Sequence, residues 1–179
     1  MKWIVIPLIC LFSWLGLTKP ALAENVSIAE PSASLNYKLV VKPDLRPQKL
    51  EDFLSKYGSP LTSYAQVIVS LADKYHIDWR LVAAISGVES TFCKSIPYNS
   101  YNCWGWNNGK HAFASYIDGL EKVSETLGIH YFGKGFDTPE TIGPIYAPPS
   151  PDWAWKVRYF MNLLEDDTQA TFLAKQFSI

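Results

Sequence analysis

The sequence lacks the features that mark several classes of ligand-dependent protein. No glycine-rich phosphate-binding loop occurs among its 10 glycines, so nothing predicts a bound nucleotide cofactor. Its three histidines, His76, His111 and His130, are not spaced as metal ligands, and we expect each at a surface or a helix end. We therefore expect neither a cofactor nor a metal ion.

An excess of either sign of charge is also lacking, since the chain holds 16 basic and 17 acidic residues. Nucleic acids and anionic membranes attract strongly basic surfaces, so neither is an expected partner. Aromatic residues are well represented, at 15% of the chain. Their rings suit stacking on sugars and packing in a core equally well, so their number alone does not indicate a function.

Long hydrophobic runs are scarce, and the only one lies near the N-terminus. Lys2 precedes an uncharged apolar run over residues 3–17, and a small-x-small site ends at Ala23. This order is typical of a secretory signal peptide, although an uncleaved membrane anchor has a similar composition. We expect cleavage after Ala23, export, and no membrane span in the mature chain.

Cysteine is also scarce, with three in the chain. Cys10 lies within the predicted signal peptide, which leaves Cys93 and Cys103 in the exported part. An even pair in an oxidising compartment favours a disulfide, here closing a short loop worth about 2–3 kcal/mol. The alternative is half of a zinc site, which two thiols with no histidine between them would supply poorly.

Hydrophobic spacing predicts one mainly α-helical domain over residues 48–165. The signal peptide (residues 1–23) and an extended linker (24–47) precede it, and a tail (166–179) whose apolar residues allow a short docking helix follows it. Residues 95–113 show no period, so we expect an irregular or short β-like lobe there. Helices are predicted over residues 48–57 and 64–76, after the expected N-cap Asp78, over 116–131, from Pro139 and from Trp153.

Glu89 is the leading candidate for chemistry. It lies at the edge of an apolar stripe that includes Val88 and Phe92 at helical spacing. A carboxylate held against an apolar face loses hydration, which raises its pKa. A carboxylic acid that stays protonated near neutral pH is the proton donor that cleavage of a glycosidic bond requires. A glutamate on a solvated helix flank has the same spacing, so periodicity alone does not decide between the two.

Four segments, in this order along the chain, stand out from the rest of the sequence. They are Gly87-Val-Glu-Ser-Thr-Phe92, Tyr98-Asn-Ser-Tyr-Asn-Cys-Trp-Gly-Trp106, Phe113-Ala-Ser-Tyr116 and Tyr146-Ala-Pro-Pro-Ser-Pro-Asp-Trp-Ala-Trp-Lys-Val157. They are similar to elements of the lysozyme-like superfamily, most closely of the bacterial glucosaminidases and lytic transglycosylases that cut peptidoglycan. In those proteins the second corresponds to an Asn-Asn-Leu-Phe-Gly loop, and the fourth to a Tyr-Ala-Thr-Asp-Pro-x-Tyr-Ala-x-Lys-Val run.

The resemblance implies a lysozyme-like helical domain in which the 95–113 lobe helps to form a substrate cleft. It implies that Glu89 acts as the general acid and base. It also implies that Tyr146 reaches the same cleft, where its phenol would hydrogen-bond the carboxyl or stabilise the transition state. The substrate-binding residues that it implies are Ser90, Tyr98, Asn99, Asn102, Trp104, Gly105 and Trp106.

Several of these residues have a simpler structural explanation. Asn99 and Asn102 offer amides suited to N-acetyl groups, but asparagines also populate turns. Trp104 and Trp106 would lie on one side of an extended strand and stack on sugars, or they would fix the loop to the domain. Tyr146 has the alternative of an ordinary core aromatic at a helix end.

Two departures from the family pattern shape the expected mechanism. Residues 90–117 contain no Asp or Glu, whereas the glucosaminidases take their second carboxylate from this part of the chain. The Gly-Leu-Met-Gln run that is usual in the transglycosylases is replaced by Cys103-Trp-Gly-Trp106. We therefore expect single-acid chemistry, in which the N-acetyl oxygen of the substrate meets the positive charge. The product is either hydrolytic or anhydro.

From these residues we expect an exported enzyme, secreted or held in the cell envelope, that acts as a monomer on peptidoglycan glycan strands. It would cut linkages between N-acetylglucosamine and N-acetylmuramic acid. The missing second carboxylate favours an alternative, a glycan-binding or wall-assembly module that has lost catalysis. Attack on foreign cell walls is a third expectation, and the sequence does not separate it from remodelling of the cell's own wall.

Overall fold

Six α-helices make up most of the part of the chain that the computed structural model describes, residues 43–177 with side chains to residue 166. The predicted signal peptide and nearly all of the predicted linker lie outside these residues. The prediction of a mainly α-helical domain is confirmed. The helices are α1 (Arg46–Lys56), α2 (Ala65–Tyr75), α3 (Leu81–Ser90), α4 (Tyr116–Thr126), α5 (Pro139–Tyr146) and α6 (Trp153–Phe177), with short helical turns at Thr62–Tyr64, Leu127–Tyr131 and Phe132–Lys134.

Helix α3 lies at the centre of the described domain. Its first six residues, 81–86, are all buried, so the helix is enclosed on every side at this end rather than along one stripe. It packs chiefly against α6, while α5 also packs on α6, and α2 contacts both α1 and α4. A helix that is apolar all round needs such enclosure, because no face of it is suited to water. Glu89 belongs to the last turn of this helix, where the enclosure ends.

The helix ends follow local chemistry that the sequence largely predicts. The hydroxyl of Thr138 accepts a hydrogen bond from the backbone of Thr141 in a capping box, with Pro139 in the first position of α5. Asp78, however, is not the N-cap of α3, because the helix begins at Leu81 and its N-cap residue is Arg80. The Asp78 carboxylate instead accepts hydrogen bonds from the backbone and guanidinium of Arg80 and forms the turn that precedes the helix.

The segment between α3 and α4 is irregular, and no strand occurs anywhere in residues 43–177. The expectation that this segment is irregular is therefore confirmed, and the β-like alternative is wrong. That the segment forms a lobe beside a cleft stays a prediction. Trp104 anchors this segment: its ring is fully buried, and its indole N–H donates to the carbonyl of Val82 in α3 at 3.1 Å. The loop thus supplies core residues of its own and is held against the helices by them.

Helix α6 runs without a break from Trp153 to Phe177, so the backbone of the predicted tail continues this helix as far as residue 177. Its buried face carries Trp153, Val157, Met161 and Leu164. The side chains of residues 167–177 lie outside the described ones, and the docking role of the tail stays a prediction. No helix within residues 43–177 has the length and hydropathy that crossing a bilayer requires.

Gly119 provides a test of how the irregular segment packs on the helices. A Cβ at this position of α4 would lie 2.6 Å from Cζ3 of Trp104 and 3.1 Å from Phe113. Alanine is the better helix former by about 1 kcal/mol, but overpacking costs about 1–3 kcal/mol. We expect Gly119→Ala to lower the free energy of unfolding in urea. The loss should shrink in a Trp104→Phe background, and a net gain in stability would show that this contact is not made.

Candidate active site

Glu89 projects from the end of α3 towards the first residue of α6. Its Oε1 accepts a hydrogen bond from the indole Nε1–H of Trp153 at 2.7 Å. The indole is only 1% exposed, whereas Glu89 is half-buried. The carboxyl is therefore held at the edge of the core, with one oxygen bonded inside the protein and the side chain still in contact with solvent.

Two opposing effects set the protonation of this carboxyl. Burial raises the pKa of Glu89 above its ordinary value, because the charged form loses hydration. The hydrogen bond from Trp153 acts in the opposite direction, since it stabilises the carboxylate, but the effect of burial is the larger one. The structure thus gives the predicted direction, a pKa of Glu89 above its ordinary value. Such a group can release a proton to a substrate and later take one back.

Gly105 contacts the other oxygen of Glu89. A Cβ on Gly105 would lie 2.6 Å from Oε2 of Glu89 and 3.2 Å from its Cδ. The glycine also has φ +65°, in the left-handed region that residues with a side chain rarely adopt. Both constraints require glycine here, because any side chain would displace the carboxyl or strain the turn. Gly105 was predicted to bind substrate, and that role stays a prediction. The structure gives its contact with Glu89.

Ser90 fixes the chain immediately after Glu89. It is buried, and its hydroxyl donates to the carbonyl of Cys103 at 2.8 Å and accepts from the backbone N–H of Cys93 at 3.0 Å. The prediction that Ser90 binds substrate is wrong, because its hydroxyl is used within the protein. Cys93 and Cys103 lie at disulfide-bonding distance, with their Cα atoms 4.7 Å apart. The serine and the cysteine pair together hold the loop that carries Gly105 against the end of α3.

Tyr146 lies beside the same carboxyl but does not donate to it. Its hydroxyl donates to the backbone carbonyl of Trp104 at 2.6 Å, and its ring stacks on Trp153 with the centroids 5.0 Å apart. Burial, and next the negative charge of Glu89, raise the pKa of Tyr146 well above its ordinary value, so the phenol stays neutral. The phenol was expected to hydrogen-bond the carboxyl or to stabilise the transition state. In the structure it donates to the carbonyl of Trp104 instead, and the role at the transition state stays a prediction. Tyr146 instead joins the end of α5 to the loop beside Gly105.

Asn102 is part of the loop's internal framework. Its side chain is 3% exposed, and its amide N–H groups donate to the carbonyls of Trp106 and His111, both at 2.9 Å. Its Oδ1 accepts from the backbone N–H of Trp106 at 2.9 Å. Because both amide hydrogens and the oxygen are already bonded, the prediction that Asn102 recognises an N-acetyl group is wrong.

The two tryptophans that flank Gly105 do not form a shared platform. Trp104 is buried at 0% exposure, so the prediction that it binds sugar is wrong. Gly105 has a left-handed backbone conformation. The alternation of side chains that an extended strand would give is therefore broken between Trp104 and Trp106. Trp106 is partly buried against Phe113 and keeps some exposed surface. Tyr98, at 93% exposure, and the exposed Asn99 are open to solvent, and their role in binding stays a prediction.

Trp153 is the site residue that the sequence did not reveal. Hydrophobic spacing predicts a helix from Trp153, and the structure places this residue on the buried face of that helix. Nothing in that spacing indicates that its N–H points at Glu89, because the two residues are 64 positions apart in sequence. The segment similar to Tyr-Ala-Thr-Asp-Pro-x-Tyr was the one available signal, since it contains both Tyr146 and Trp153.

Other parts of the described surface contain concavities of about 340 and 280 Å³, and Glu89 lines neither of them. One is bordered by α1 and α2, and the other by α5 and the turn before α6. Within residues 43–166, no group of three or more His, Cys, Asp or Glu side chains is arranged to hold a metal ion.

Comparison with known proteins does not assign the chain to a family. No protein-family model matches it, and no curated protein is similar to it at a significant level. The resemblance to the lysozyme-like superfamily therefore stays a prediction from the four segments, and the site itself is the basis for arguing function.

The raised pKa of Glu89 makes a prediction about stability. The folded state binds the proton more tightly than the unfolded chain, so the favourable contribution of the neutral carboxyl is complete at low pH. It is lost as the pH rises through the raised pKa. Glu89→Gln keeps an oxygen for Trp153 and carries no charge, so we expect it to be more stable than wild type above that pKa and similar below it.

Urea unfolding at several pH values measures this difference. The matched control is Glu51→Gln, which replaces an exposed carboxylate on α1 by the same amide. A stability gain of Glu89→Gln that is the same at low and neutral pH, or absent at both, would contradict the account of burial.

Proposed function

We propose that the protein is an exported glycosidase that cuts peptidoglycan strands, with Glu89 as its general acid and base. The observation that carries the proposal is the environment of Glu89, a half-buried carboxyl whose burial raises its pKa and whose oxygens contact Trp153 and Gly105. Cleavage of a glycosidic bond needs a proton donor of this kind, because the leaving oxygen must be protonated. The order of the four resembling segments supplies the substrate class.

The proposed architecture is the lysozyme-like one, with a substrate cleft between the helices and the irregular 95–113 lobe. Support comes from the way this lobe meets the acid: Gly105 touches Glu89, and the cysteine pair closes the loop on the end of α3. Exposed Tyr98 and Asn99, together with the exposed part of Trp106, are the lobe residues proposed to contact sugars. Stacking on aromatic faces and hydrogen bonds to an amide suit N-acetylated sugar rings.

The proposed mechanism uses a single acid. Glu89 gives its proton to the glycosidic oxygen as the bond to the anomeric carbon breaks, and the N-acetyl oxygen of the sugar bonds to that carbon as the charge develops. Glu89, now a carboxylate, then takes a proton from the attacking group, whose oxygen bonds to the anomeric carbon as the bond from that carbon to the N-acetyl oxygen breaks. If that group is water, the product has a reducing end. If it is the 6-hydroxyl of the muramic acid, the product is an anhydro sugar and no water is consumed.

Export to the cell envelope or beyond is part of the proposal. It depends on the apolar run that follows Lys2 and on the site at Ala23, both outside the described residues. A disulfide between Cys93 and Cys103 fits an oxidising compartment.

A glycan-binding or wall-assembly module is the second candidate. The observation that favours it is the absence of any Asp or Glu from residues 90–117, which leaves Glu89 without the usual second carboxylate on the lobe. In that case the same surface would bind strands without cutting them.

Release of soluble fragments from purified peptidoglycan separates the two candidates. We expect the mature wild-type protein to solubilise the walls and Glu89→Gln to be slower by about 10²–10⁴-fold, which is the usual contribution of a general acid. Glu51→Gln, which changes a glutamate on α1, should retain full activity.

Mass spectrometry of the released fragments then distinguishes reducing ends from anhydro ends. Equal turnover by wild type and Glu89→Gln would contradict the catalytic role. Strand binding without turnover by wild type would support the binding module instead.

A further inference from the structure

We propose, resting on the proposed function, that Trp153 is a positioning residue that decides which oxygen of Glu89 carries the catalytic proton. Its indole N–H holds Oε1 as the accepting oxygen and so assigns the proton to Oε2, the oxygen beside Gly105. Trp153 does not itself touch substrate, because it is 1% exposed.

The chemistry of the indole makes this assignment. An indole N–H can only donate a hydrogen bond, so the oxygen that it contacts must accept one. A neutral carboxyl has one hydroxyl and one carbonyl oxygen, and the carbonyl oxygen is the better acceptor. With Trp153 bonded to Oε1 at 2.7 Å, Oε1 takes the carbonyl role and the hydroxyl proton belongs to Oε2. Rotating the carboxyl by half a turn would restore the same arrangement with the two oxygens exchanged, so the position of the proton in space does not change.

Gly105 determines what surrounds the proton on Oε2. Oε2 lies where a Cβ of residue 105 would be 2.6 Å away, so the oxygen faces backbone that carries no side chain. Any side chain at residue 105 would crowd the oxygen that carries the proton. Proton transfer is effective only over hydrogen-bonding distances, so the location of the proton decides where the substrate must bind.

The indole is itself held in place by α5. Its ring stacks on Tyr146 with an interplanar angle of 27°, and a Cβ on Gly143 would lie 3.2 Å from its Cε3. The hydroxyl of Tyr146 donates to the carbonyl of Trp104, the residue before Gly105. The contacts therefore form a closed ring from Glu89 through Trp153 and Tyr146 to the loop and back, and both carboxyl oxygens are fixed by one connected set. Preorganisation of this kind limits the error in the position of a reacting atom.

Trp153→Phe tests the inference, since phenylalanine keeps an aromatic ring against Tyr146 and removes the N–H donor. We expect kcat on peptidoglycan to fall by about 10–100-fold with little change in KM, because a carboxyl that rotates freely is often misplaced.

The indole N–H stabilises the carboxylate, so its loss in Trp153→Phe should raise the pKa of Glu89. This pKa is read directly from a ¹³C NMR titration of the Glu89 carboxyl. The basic limb of the pH–rate profile should move to higher pH by the same amount. Tyr146 is the titratable group that interacts with Glu89 electrostatically, and its phenol is unchanged in the variant.

A second variant separates the N–H from the packing. Replacing Trp153 by benzothienylalanine, introduced at that codon, keeps both rings and exchanges the N–H for sulfur. We expect the same rise in the pKa and the same loss of kcat, without the cavity that phenylalanine leaves. The matched control is the same replacement at Trp104, whose N–H donates to Val82 rather than to Glu89. It should lower stability without moving the pKa of Glu89.

These measurements distinguish a failure of the role of Trp153 from a failure of the proposed function. An unmoved pKa of Glu89 in the benzothienylalanine variant at position 153 would overturn the inference, and so would a raised pKa with unchanged kcat. If the wild type shows no turnover, the proposed function fails. The NMR titration then decides the proton assignment alone: a raised pKa supports it and an unmoved one overturns it.

Discussion

The hydrogen bond between Trp153 and Glu89 joins the two helices on which the site depends. Helix α3 brings the carboxyl to the edge of the core, where burial raises its pKa, and α6 supplies the donor that keeps the buried oxygen satisfied. Without that donor the carboxyl would lose hydration with no compensating bond, which proteins generally avoid. Because α3 and α6 also pack most extensively on each other, the position of the acid follows from the packing of the core.

The loop after Glu89 is irregular and yet closely held. Three successive residues, Thr91, Phe92 and Cys93, have positive φ, a conformation that costs about 1–2 kcal/mol for each residue with a side chain. The hydroxyl of Ser90, the cysteine pair and the buried ring of Trp104 hold this path. The loop that is held in this way brings the backbone of Gly105 into contact with the Glu89 carboxyl. Strained backbone of this kind is often found at functional sites.

The features that could be predicted from the sequence depend on the local spacing of residues. The features that were missed depend on backbone turns and on contacts between residues far apart in the sequence. The helices were predictable because burial of one face leaves a 3.6-residue period, and the start of α5 because Thr138 and Pro139 have defined roles at a helix N-terminus. Trp104 was misassigned because alternation around a glycine says nothing about a left-handed turn, which buries one ring and leaves its neighbour partly exposed. The bond from Trp153 to Glu89 was missed because it spans 64 residues.

The account is tested most directly by comparing the pKa of the Glu89 carboxyl with the pKa that governs turnover. Two values are needed from the wild-type protein: the pKa of the Glu89 carboxyl from ¹³C NMR, and the pKa of the basic limb of kcat/KM on peptidoglycan. A half-buried proton donor predicts that both lie above the ordinary value for glutamate, 4.5, and that they agree. A carboxyl that titrates at or below that value, or turnover that continues well above the pKa of Glu89, would contradict it.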